Sequence, residues 1–143
     1  MKLMSKEFFS PNKINYYFYF ISPFLMLTLI LSMWLIYPMK TNLFNWNLNS
    51  LFLMCLMSMA VYGLMLAGWS SNSCFSMLGS IRSIAQSISY EITLSISFLL
   101  MLMLINSLNM IYMCNFNKYL WMFCFFWPTS LILIISMMAE LNR

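Results

Sequence analysis

Four long apolar runs, separated by short polar stretches, divide this chain. The first, Tyr16 to Tyr37, has no charged residue, opens on Tyr16, Tyr17 and Tyr19, and stops before Pro38. The second, Leu48 to Trp69, is also uncharged and closes on Gly68 and Trp69. The third, Ile84 to Leu108, is interrupted by Glu91, and the fourth, Tyr119 to Ala139, carries Pro128 in its middle. A helix rising 1.5 Å per residue needs about 20 residues to cross ~30 Å of hydrocarbon. The pattern therefore predicts transmembrane helices over 16–37, 48–69, 84–108 and 119–139, with Tyr and Trp near their ends in the interfacial belt. The connectors Pro38–Asn47, Ser70–Ser83 and Asn109–Lys118 are short, so successive spans run antiparallel and both chain ends share a side. The expected fold class is an all-α polytopic membrane helix bundle, one membrane domain over residues 1–143. Pro128 removes an intrahelical hydrogen bond and is expected to kink the fourth span.

The third run differs from the others. At about 100° per residue, Ile81, Ala85, Ile88, Ile92, Ile96, Leu99 and Met103 form one narrow apolar stripe. Ser80, Ser83, Ser87, Glu91 and Ser95 form a polar row at steps of 3 or 4. Arg82, Gln86, Ser89, Thr93 and Ser97 form a second, with Tyr90 between the two. Hydroxyls can bond carbonyls of the preceding turn, but Gln86 and Glu91 cannot satisfy themselves that way. Protein or internal water must wrap this half-helix, leaving only the apolar stripe for lipid.

Composition agrees with a membrane protein. Of 143 residues 63% are hydrophobic and 7% charged, against roughly 25% charged in soluble domains. Disorder requires low hydrophobicity, and four cysteines mostly inside apolar runs do not make a disulfide scaffold. Lys2, Lys6, Lys13, Arg82 and Arg143 fall on the side of the termini, and Lys40 and Lys118 on the other. That excess orients the bundle by the positive-inside rule. Neither His nor Asp occurs, which excludes Ser-His-Asp triads, His-containing metal sites and Asp-based phosphoryl transfer. No Cys-x-x-Cys spacing offers a cluster or metal cradle, so no metal is expected. The scattered basic residues form no nucleic-acid patch. Val61 is the one valine and there are four alanines, against 17 Met and 13 Phe. Because a bilayer accepts all of these, the skew points to an AT-rich, organelle-type gene.

Glu91 is the informative side chain. It follows Arg82 by nine positions, about 13 Å along a helix, and an acid at that depth costs on the order of 3 kcal/mol on insertion scales. Two readings follow. The acid is tied up by Ser87, Ser95 and Tyr90 and serves packing, or it is a proton-relay carboxyl, the usual employment of an intramembrane glutamate. Glu140, beside Asn142 and Arg143, reads on its own as an ordinary acid at a membrane edge. A small oligomeric transporter or channel, its pathway lined by the third span, is a competing class. An inert anchor would have no need of two polar rows.

The run Ala67-Gly68-Trp69-Ser70-Ser71-Asn72-Ser73, followed by Leu78-Gly79-Ser80-Ile81-Arg82-Ser83-Ile84-Ala85-Gln86-Ser87-Ile88-Ser89-Tyr90-Glu91, resembles a family signature. The family is that of subunit 1 of mitochondrial NADH:ubiquinone oxidoreductase, respiratory complex I. Ile21-Ser22-Pro23 and Ala139-Glu140-Leu141-Asn142-Arg143 match in order, and residues 1–13 resemble the end of its amphipathic surface helix. The resemblance implies that this is a partial sequence, its spans corresponding to spans two to five of a longer subunit. It implies a place in the mitochondrial inner membrane with the ends of this piece on the matrix side. It implies other subunits as partners, ubiquinone as substrate, and NADH, FMN and iron–sulfur clusters held by those subunits, with no cofactor bound here. Residue by residue, Glu91 and Glu140 match acids of the proton relay. Arg82, Gln86, Tyr90 and Arg143 match the matrix-side surface at the quinone chamber. Leu141 stands where the family has Thr, so a hydroxyl beside Glu140 is lost; Phe75 replaces a usual Tyr.

Overall fold

The computed structural model describes residues 1–7, 10–37, 46–118 and 121–141, and Pro38, Lys40, Tyr119 and Arg143 lie outside them. Helix α1 runs Tyr16–Met33 and tightens into a 3-10 turn at Trp34–Ile36. Helices α2 (Asn49–Ser70) and α3 (Cys74–Met103) follow, then α4 (Met110–Asn117), the single turn α5 (Met122–Phe125) and α6 (Trp127–Leu141). Among the described residues there is no strand, and three helices are long and apolar enough to cross a membrane, with α6 a shorter apolar one. The chain is an all-α membrane helix bundle. Residues 1–7 form exposed turns.

The helices pack in chain order, α1 on α2, α2 on α3 and α3 on α6. Two backbone links fix the ends. Asn15 donates its N–H to the Ser70 carbonyl at 2.9 Å, and Ser50 donates both N–H and Oγ to the Leu108 carbonyl, at 3.3 and 2.7 Å. Phe18 and Trp69 pack against each other across the first of these ends, ring centroids 5.7 Å apart and planes tilted by 59°. Close approach of α2 and α3 rests on Gly68: a Cβ there would overlap Cβ and Oγ of Ser80. Met101 of α3 meets Leu133 of α6 in the small buried core.

The bounds differ from the sequence pattern at Ser70–Ser83, at Asn109–Lys118, where α4 lies, and in the fourth run. Ser70–Ser83 reads as a connector, yet only Ser71, Asn72 and Ser73 lie between α2 and α3. Asn72 takes φ 48°, a left-handed conformation that asparagine tolerates where the helix stops. Ser73 then caps α3, its Oγ accepting from the Ser76 N–H at 3.3 Å. Ser76, Ser80 and Ser83 donate to carbonyls three residues back, so a serine-rich segment satisfies itself as helix.

Pro128 does not kink a continuous fourth helix. The chain breaks at Phe126, and Pro128 stands in the first turn of α6, where its missing N–H has no intrahelical partner to lose.

Candidate functional site

The two polar rows of α3 have different surroundings. Ser80, Ser83, Ser87, Glu91 and Ser95 are half-buried or buried. Arg82, Gln86, Ser89 and Thr93 are exposed on this chain, and Ser97 is buried. Ser89 donates to the Gln86 carbonyl at 2.7 Å and Thr93 to the Tyr90 carbonyl at 2.9 Å, which leaves the Arg82 and Gln86 head groups as the polar features of that exposed row. Ile81, Ile88, Ile92 and Ile96 are exposed, as a lipid-facing stripe requires.

Glu91 is half-buried and lines a cavity of about 460 Å³ between α2 and α3. Opposite it on α2 are Val61 and Tyr62, close to the midpoint of a 22-residue helix. Such a helix is about 33 Å long, the thickness of the hydrocarbon, so the acid lies near mid-depth. Packing alone does not occupy it. Ser87 and Ser95 donate to the carbonyls of Ile84 and Ile92, at 2.9 and 2.8 Å, and among the described residues no group donates a hydrogen bond to the Glu91 carboxyl.

Glu140 is not at the edge of the bundle. It shares a hollow of about 270 Å³ with Leu94 and Phe98 of α3 and Met57 of α2, and its Oε2 is shielded from solvent. Leu94 is one turn along α3 from Glu91, and the two carboxyls are near enough for their charges to interact. The antiparallel packing of α6 on α3 does this: with Leu133 beside Met101, the last turn of α6 comes level with the middle turns of α3. Sequence spacing could not reveal it, since 49 positions separate the acids. Tyr90 is half-buried beside Glu91, Gln86 and Arg82 lie roughly one and a half and two and a half turns nearer the start of α3, and Arg143 lies outside the described residues. Ser58 and Tyr62, which share the Glu91 cavity, were not marked by pattern; their one signal is an i, i+4 polar pair in an otherwise apolar span.

The sequence profile described as NADH dehydrogenase matches residues 1–143, the whole chain. The chain belongs to the NADH dehydrogenase family. Relatives named NADH-ubiquinone oxidoreductase chain 1 align with all of it. That of Aedes aegypti is 41% identical over 143 residues, with 46% of its own length covered. Those of Locusta migratoria and Zaedyus pichiy are 43% and 37% identical, each with 45% covered. The chain thus spans about half the length of the curated relatives it matches. Within this family the competing transporter reading has nothing to favour it.

Proposed function

We propose that this chain forms part of the core membrane subunit 1 of a proton-translocating NADH:ubiquinone oxidoreductase in the mitochondrial inner membrane. In that role it helps form the quinone chamber, and Glu91 and Glu140 carry the protonation changes that couple quinone reduction to proton translocation. Arg82, Gln86 and Tyr90, with Arg143, contribute to the matrix-side surface near the chamber, and the ends of this piece lie on that side. Partner subunits supply NADH oxidation, FMN and the iron–sulfur clusters, and ubiquinone is the substrate of the whole complex.

One observation carries the reading: acids from α3 and α6 line hollows whose α3 walls, at Glu91 and Leu94, are one turn apart, and their charges interact. Two carboxyls whose charges interact in low dielectric disfavour a state with both ionised, so a proton gained by one favours its loss from the other. A relay step needs that property, and a packing role does not. The test places Glu91→Gln and Glu140→Gln in the full-length subunit within the assembled complex. Assembly on a native gel is expected to persist, and proton pumping coupled to quinone reduction to fall by about tenfold or more. Normal pumping in both variants refutes the relay.

A further inference from the structure

We draw no further inference here: the strongest candidate, the hollow of about 350 Å³ between the start of α2 and the turn after α3, lined by Asn47, Asn106 and Ser107, opens at the surface and nothing in the structure shows what covers it.

Discussion

Ser22 donates its hydroxyl to the Tyr19 carbonyl at 3.1 Å, the acceptor that Pro23 leaves without an N–H in α1. In water that carbonyl would find a solvent donor, but in hydrocarbon it has only the protein. Ser22→Ala is therefore expected to destabilise the subunit by about 1–2 kcal/mol, read as a lower melting temperature of the assembled complex. Ser22→Thr keeps the hydroxyl and should recover most of the loss. The glycines make a sharper contrast. A methyl on Gly68 would strike Ser80 close to its backbone, whereas a methyl on Gly79 meets nothing within 4 Å. Gly68→Ala should cost about 1–3 kcal/mol by overpacking, while Gly79→Ala should be neutral or gain up to about 1 kcal/mol from helix propensity. Equal effects in the melting assay would contradict the α2–α3 approach described above. Neither the Ser22 bond nor the Gly68 contact can be read from sequence, because each depends on where a neighbouring turn or helix falls.

At the scale of elements, what was legible followed from periodicity and what was not followed from packing. Helices α1 and α2 lie along the two uncharged runs, and in α3 the row from Ser80 to Ser95 is half-buried or buried while Arg82, Gln86, Ser89 and Thr93 are exposed and Ser97 is buried. Ser70–Ser83 misled because serine is common in turns, although its hydroxyl can bond its own helix and make a polar stretch self-sufficient. Asn109–Lys118 misled in the same direction: Asn109 accepts the Ile111 N–H at 3.0 Å and caps α4. Glu91 stood out as a charge in an apolar run, but Glu140 could be placed only once α6 was seen against α3. Pro128 offers the cleanest test of an element boundary. In a helix interior a proline costs about 3 kcal/mol, and in the first turn almost nothing. Pro128→Ala should therefore shift stability by less than about 1 kcal/mol. A gain near 3 kcal/mol, the interior penalty relieved, would place Pro128 inside a continuous fourth helix instead.

Over the whole molecule, few large side chains among the described residues are buried, Met101 and Leu102 at 2% exposure being the extreme, and the outer faces of α1 and α2 and the isoleucine stripe of α3 are largely apolar. Such a surface belongs in a bilayer or against other apolar helices, and its orientation there is decided by a handful of cations. Lys2, Lys6 and Lys13 precede α1, whose start is tied to Ser70 at the end of α2, so they share the end of the bundle where α3 begins. Lys118 follows α4 at the opposite end. In the proposed placement, the positive-inside bias would put the first end on the matrix side. Native thiols can report this without any substitution. Cys74 opens α3 at the lysine-rich end, Cys114 lies on α4 at the other, and both are exposed, as is Cys55 within α2. A membrane-impermeant maleimide needs a hydrated thiolate, so Cys55, facing hydrocarbon, should stay unmodified from either side. In the full-length subunit inserted in inner-membrane vesicles, Cys74 should be modified when the matrix face is outward and Cys114 when it is inward. The opposite pattern would invert the bundle and move Arg82 and Gln86, nearer the first end, away from the side on which the proposed chamber surface requires them.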